Sequence, residues 1–175
     1  MRTRTVILGG PLLVALYAGI MVVSLGWLEP QAAVPGLTRT EIAQGLDHFG
    51  SDLTALTWSL VVLGLVGVGL SAVASTVGRR ARLQLSTIAT LHLGLLVLGA
   101  PVSFFAAFPL GMDMADAFGV SGGLRTPWYM VLLWASGISL LSLLALLFST
   151  IRTGQPITPS QESGAERRAA TIHHH

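Results

Sequence analysis

Four long runs of apolar residues dominate the hydrophobic pattern of this chain. They cover about residues 6–28, 53–77, 83–108 and 128–151, and no Asp, Glu, Lys or Arg lies inside any of them. Each run reaches the roughly 20 residues that an α-helix needs to cross a hydrocarbon core about 30 Å thick. Because lipid requires every backbone polar group to be paired within its own segment, the pattern predicts four transmembrane helices.

The composition agrees with this prediction. Of the 175 residues, 52% are hydrophobic and 10% are charged, whereas soluble domains carry about 25% charged residues. The predicted fold is therefore an all-α integral membrane protein, a four-helix transmembrane bundle over residues 1–152. A polar tail over residues 153–175 is predicted to be disordered. Its three terminal histidines resemble a truncated purification tag and do not indicate a native metal site.

The first run also has features of a signal peptide, since MRTR precedes it and the small residues QAA follow it. Cleavage would leave three spans. The run is longer than the 7–15 apolar residues typical of a signal core, which favours a retained span.

The arginines predict the orientation of the bundle. They cluster before the first span, between the second and third, and after the fourth, where the positive-inside rule predicts cytoplasm. The cytoplasmic set is Arg2, Arg4, Arg79, Arg80, Arg82, Arg152, Arg167 and Arg168. Both termini are therefore predicted to be cytoplasmic. Every basic side chain is Arg, which suggests a GC-rich genome. The expected location is a plasma membrane, as a multi-pass protein of the bacterial inner membrane.

The first outer loop contains a helix signal. Thr38 and Glu41 have the spacing of a capping box, and Ile42, Leu46 and Phe49 then recur at helical spacing. The sequence predicts a short amphipathic helix in this loop. The leading interpretation is a lid that packs on the bundle; the alternative is an element through which a partner protein docks.

The second outer loop, PLGMDMADAFGVSGGLRTP, is rich in glycine and proline and is predicted to be irregular. Its MDMAD segment mixes soft thioether with hard carboxylate ligands, which suits no single metal well. A solvated loop is therefore the preferred interpretation, and no metal site is predicted.

Small residues recur every four positions on the second and third spans, a spacing that lets helices approach closely in lipid. Because the two spans are joined by a short link, these rows favour an antiparallel hairpin between them. The rows are Gly67, Ser71 and Ser75 on the second span and Gly99, Ser103 and Ala107 on the third.

His92 stands alone in the apolar run TLHLGLLVLGAPVSFF. Hydroxyls at a similar predicted depth belong to Ser71 and Ser142, so the leading hypothesis is an interior polar tie among these three side chains. The rival hypothesis is a haem or metal ligand, which would need a second imidazole. The other internal histidine, His48, is predicted to lie across the membrane. A third alternative, a proton relay, normally uses a chain of ionisable groups.

Several functions become less probable on the sequence alone. There are no cysteines, phosphate-binding loops, zinc motifs or catalytic triads, so neither an enzyme nor a bound cofactor is expected. Pumps usually need ionisable residues within the membrane. The arginines flank membrane spans, so the expected partners are the lipid bilayer and another membrane protein or a second copy, not nucleic acid.

Three hypotheses remain: a noncatalytic accessory or assembly subunit of a membrane complex, a homo-oligomeric pore for small solutes, and a haem- or quinone-binding electron-transfer subunit.

Overall fold

The computed structural model describes residues 2–121 and 125–152, without the side chains of residues 2–7 and of residue 150. These ranges are almost entirely helical and contain no strand. The predicted tail, residues 153–175, lies outside the described residues. In chain order the elements are α1 (Arg2–Val23), a π-helical segment (Ser24–Leu28), α2 (Glu29–Ala33), α3 (Arg39–Asp47), α4 (Leu53–Arg80), α5 (Leu85–Phe118) and α6 (Pro127–Arg152).

Four of the described helices are long and apolar enough to cross a membrane, which confirms the prediction of a four-span helical protein. The qualifying stretches are Leu8–Ala33, Leu53–Arg80, Leu85–Phe118 and Pro127–Ser149. The first of them includes the π-helical segment and α2, which continue α1 without a break.

The four long helices form a bundle in which α1 and α5 touch each other across the centre. Helix α4 packs against both of them, while α6 packs mainly against α5 and only lightly against α1. Contact between α1 and α5 fills the middle of the bundle with side chains such as Tyr17, Met21 and Leu96. We call the end of the bundle that carries Arg79 and Arg80 the arginine end, and the end that carries α2 and α3 the loop end.

The first long helix extends five residues beyond its predicted end at residue 28. Pro30 has no N–H, so the carbonyl four residues earlier, Gly26 O, loses its usual helical donor. The guanidinium of Arg39 donates to that carbonyl at 2.5 Å. The helix can therefore continue past a proline that the sequence pattern marks as a turn, because a distant arginine supplies the missing hydrogen bond.

Helix α5 extends ten residues beyond the predicted end of the third span at Phe108. The interpretation of the following ten residues as an irregular loop is wrong: they continue the helix to Phe118. The helix ends where Gly119 adopts a left-handed conformation (φ 63°) and its N–H donates to Ala115 O, as in a glycine C-cap. At 34 residues, α5 is about 51 Å long and outreaches a 30 Å hydrocarbon core.

The extension of α5 is stabilised by a second hydrophobic core at the loop end. Ile42 and Leu46 of α3 are fully buried there against Leu53, Leu110 and Met114. Because Leu110 and Met114 lie four residues apart, a helical conformation places both on one face of α5, where they pack into this core. The loop end is therefore a folded layer above the spans.

Close helix contacts occur at several of the predicted small residues, but with a different neighbour. A Cβ built at Gly99 would lie 2.6 Å from the ring of Tyr17, and one built at Gly67 would meet Val14. Both contacts are made with α1. Helices α4 and α5 do contact each other, but α1 lies against both of them. The small residues therefore also serve the contacts with α1. Ser103 and Ala107 are also buried.

Candidate functional site

His92 lies at a junction of three helices near the arginine end. Its side chain is 4% exposed. Nδ1 lies 2.7 Å from Ile88 O and Nε2 lies 3.1 Å from the hydroxyl of Ser75 on α4. A carbonyl only accepts, so Nδ1 carries a proton, and in the neutral ring Nε2 accepts from Ser75. Helix α1 covers the ring at Gly10, where an added Cβ would lie 2.4 Å from Cδ2.

The predicted partners of His92 are not the ones that bind it. Ser71 is fully buried one helical turn from Ser75, and its hydroxyl has no hydrogen-bond partner among the described residues. The hydroxyl of Ser142 donates to Ile138 O of its own helix at 2.8 Å. The polar contact from His92 to a neighbouring helix therefore runs to Ser75, and α6 takes no part in it.

The surroundings of His92 do not fit a haem iron or another metal ion. Nε2 is the nitrogen left for a ligand bond, and Ser75 already occupies it. A Cβ at Gly10 would come within 2.7 Å of the same atom, so the backbone of α1 closes the remaining approach. Coordination would require α1 and α4 to separate.

A second polar contact, which the sequence did not indicate, joins three helices in the middle of the bundle. Ser136 of α6 donates to Leu96 O at 2.7 Å, and its hydroxyl lies 3.2 Å from that of Tyr17. The ring of Tyr17 rests on Gly99. Because the hydroxyls bind one another or a backbone carbonyl, this group stabilises the contact among α1, α5 and α6.

Glu29 is a buried carboxylate at the loop end and is 6% exposed. It accepts hydrogen bonds from the backbone N–H groups of Arg125 and Thr126, each at 2.9 Å, and from the hydroxyl of Thr126. These donors lie immediately before α6, whose first N–H groups have no partner inside the helix. Glu29 thus anchors the start of α6 to α2, across almost one hundred residues of sequence.

Two arginines at this end bind backbone carbonyls. Besides Gly26 O, Arg39 binds the hydroxyl of Thr57 at 2.9 Å and stacks over Trp27, with 4.3 Å between Cζ and the ring centroid. Arg125 donates to Ala33 O at 3.2 Å and to the hydroxyl of Ser121 at 2.8 Å. Both side chains hold parts of the loop end together while remaining partly accessible.

A crevice of about 200 Å³ opens beside Glu29, between α5 and the continuous first helix. One wall carries Leu25, Glu29 and Ala33, and the other carries Phe104, Phe108 and Met112, each set spaced by four residues. Most of the lining is apolar. Glu29 lies between Leu25 and Ala33 on its wall, and the other polar side chain of the lining is that of Ser121.

A second cavity, of about 310 Å³, lies between α3, the start of α4 and α5. Its two carboxylates are engaged: Asp52 caps α4 by accepting from Thr54 N and Ala55 N, and Asp113 accepts from the hydroxyl of Ser51. Over residues 2–121 and 125–152, no three His, Cys, Asp or Glu side chains group as metal ligands would.

The start of α3 carries a capping box. The hydroxyl of Thr38 accepts from Glu41 N, and the Glu41 carboxylate accepts from Thr38 N at 2.7 Å. Hydrogen bonds from the backbone N–H and then the hydroxyl of Thr38 hold the pKa of the Glu41 carboxyl below its usual value. Ile42 and Leu46 are fully buried, so they are not available for docking to a partner, whereas Phe49 is 56% exposed.

Comparison with known proteins adds no family to this description. The chain matches no protein-family model, no curated protein and no solved structure. Its function must be argued from the arrangement of its own residues.

Proposed function

We propose that this chain is a noncatalytic accessory or assembly subunit of a membrane complex, with its arginine end in the cytoplasm of a bacterial cell. The observation that carries the proposal is the outward face of α6. Of the four long helices, α6 packs least against the rest of the bundle. That face presents large apolar side chains to the surroundings, among them Trp134, Leu141 and Phe148, at 71%, 68% and 65% exposure.

Trp134 is the informative member of this set. It lies seven residues after Pro127, about 10 Å below the start of α6. Tryptophan prefers the membrane interface, where its N–H can reach water or headgroups. An exposed indole at this depth is better accommodated by a neighbouring protein that offers an acceptor. Gly137, which has open space around the position of a Cβ, leaves a hollow beside Trp134 that suits a partner helix.

The interior polar groups support a noncatalytic role. His92, Ser136 and Glu29 each bind donors or acceptors within the chain. These contacts join helices to one another. A side chain committed in this way stabilises the bundle and is poorly placed to exchange protons or bind a reacting group.

The alternative of a pore has less support from the geometry. Helices α1 and α5 touch across the centre of the bundle, where Tyr17, Met21 and Leu96 are buried. A solute path would therefore have to form between copies of the chain. The electron-transfer alternative lacks support at His92, for the reasons of packing given above.

The test of the accessory role is co-purification from native membranes in mild detergent. We expect the parent chain to bring down a membrane protein in a constant ratio, and Trp134→Ala to lose it. Trp58→Ala is the matched control, because Trp58 is 64% exposed on α4. Equal recovery from both variants would contradict the α6 interface, and recovery of only the chain itself would favour the homo-oligomer.

The proposed orientation has its own test, made easier because the chain has no native cysteine. Asp47 on α3 and Ala81 beyond α4 are both exposed and lie at opposite ends of the bundle. In intact cells, Asp47→Cys should react with a membrane-impermeant maleimide. Ala81→Cys should react only after the cells are opened. The reverse pattern would overturn the orientation.

A further inference from the structure

We infer that the crevice beside Glu29 binds a phospholipid with a primary-ammonium headgroup, of the phosphatidylethanolamine type, with one acyl chain between the first helix and α5. This inference does not depend on the proposed accessory role. It rests on three features of the crevice: its apolar walls, its level relative to the membrane boundary, and the pair of opposite charges at its polar end.

The walls of the crevice suit a hydrocarbon chain. Leu25 faces Phe104 and Phe108 across the space, and the buried side chains of Ala107 and Leu110 form the floor. The rings of Phe104 and Phe108 lie 5.9 Å apart, measured between centroids, and make one aromatic wall. A volume of about 200 Å³ accommodates a segment of one acyl chain.

The crevice lies at the level where the membrane changes from hydrocarbon to headgroups. Trp27 and Trp128, both about half exposed, lie at the same end of the first helix and of α6, and tryptophans prefer this boundary. The phenylalanine wall lies on the hydrocarbon side and Glu29 on the loop side. Going from Leu25 and the phenylalanine wall to Glu29, the crevice changes from apolar to polar. A phospholipid in the leaflet at the loop end changes in the same direction, from its acyl chains to its headgroup.

The polar end is complementary to an ammonium and a phosphate. A carboxylate has about four acceptor positions, and described residues fill three of those of Glu29. No described residue donates to the fourth, and Glu29 is one of the residues that line the crevice. Arg125 binds Ser121, a residue of the crevice lining, at 2.8 Å, which places a guanidinium beside the mouth. An ethanolamine headgroup can donate to Glu29 while its phosphate pairs with Arg125. A choline headgroup has no N–H to donate.

The experiment uses purified full-length protein reconstituted in nanodiscs that contain equal amounts of phosphatidylethanolamine, phosphatidylcholine and phosphatidylglycerol with identical acyl chains. The protein is released gently, and retained lipid is measured by native mass spectrometry. We expect phosphatidylethanolamine to be retained about tenfold over phosphatidylcholine, since one hydrogen bond to a charged group corresponds to a factor of that size. Equal retention of the three lipids would overturn the inference, and so would preference for phosphatidylglycerol.

A variant that fills the crevice tests its position. Ala33→Phe places a ring on the loop side of Glu29, in the part of the crevice that the headgroup would occupy, and retention should fall about tenfold. Ala72→Phe is the matched control, because Ala72 is exposed on α4, away from the crevice. Unchanged retention in Ala33→Phe would overturn the assignment. Should Ala33→Phe not fold, the headgroup preference of the parent protein still decides, and a bound isoprenoid quinone in place of lipid would refute the inference.

Discussion

Replacing Glu29 with Ala is expected to lower the free energy of unfolding in detergent by about 3 kcal/mol. The substitution leaves three donors without their acceptor: two backbone N–H groups and the hydroxyl of Thr126. Each unsatisfied donor in a buried setting costs roughly 1 kcal/mol or more. We use the lower value for each, because water can reach the loop end. Denaturant titration in micelles measures the effect.

Two further variants sharpen this test. Glu29→Gln keeps the size of the side chain but turns one acceptor into a donor that opposes the N–H groups, so most of the loss should remain. Asp116→Ala removes an exposed carboxylate from α5 and should change the stability little. A result for Glu29→Ala similar to that for Asp116→Ala would show that the carboxylate does not anchor α6.

This anchor could not have been found from the sequence. Glu29 directly follows an apolar run and precedes a proline, so it resembles the first polar residue of a loop. Its partners, Arg125 and Thr126, lie almost one hundred residues away, and nothing local marks them. The pairing depends on how the first helix and α6 are arranged around α5, which is a property of the packed bundle.

The spans could be predicted because the physical constraint on them is local. A helix in lipid must be apolar over about 20 residues whatever its neighbours are. The ends of the helices were less predictable. Pro30 and Pro109 both resemble helix breakers, yet both lie inside helices. At Pro30 the freed carbonyl is bound by Arg39, a contact that hydropathy does not encode.

The hydrogen-bond partner of His92 could be predicted only approximately from the depth of residues in the membrane. Counting residues from the ends of the spans matched His92 with Ser71, but the hydroxyl that binds it belongs to Ser75. These serines lie four residues apart on one face of α4, about 6 Å along the helix. A shift of that size is within the uncertainty of any boundary estimate, although it decides which hydroxyl reaches the ring. That His92 is buried was the more predictable part, because an unpaired polar ring in lipid is costly.

The backbone of α1 packs directly on the imidazole of His92 at Gly10. We expect Gly10→Ala to lower the free energy of unfolding by about 2 kcal/mol, the typical cost of overpacking a filled site. The added Cβ would lie 2.4 Å from Cδ2 of His92. The ring cannot easily turn away, since Ile88 O and Ser75 hold both of its nitrogens. The overlap between the new methyl group and the ring can therefore be removed only if α1 moves.

The adjacent glycine supplies the control. A Cβ at Gly9 would meet no atom within 4 Å, so Gly9→Ala should be neutral or slightly stabilising, because alanine is the better helix former. A double-mutant cycle with His92→Ala then identifies the cause. Removing the ring makes room for the new methyl group, so Gly10→Ala should cost much less in the His92→Ala background than in the parent protein. Equal costs in the two backgrounds would mean that the close approach of α1 to His92 does not set the stability of this junction.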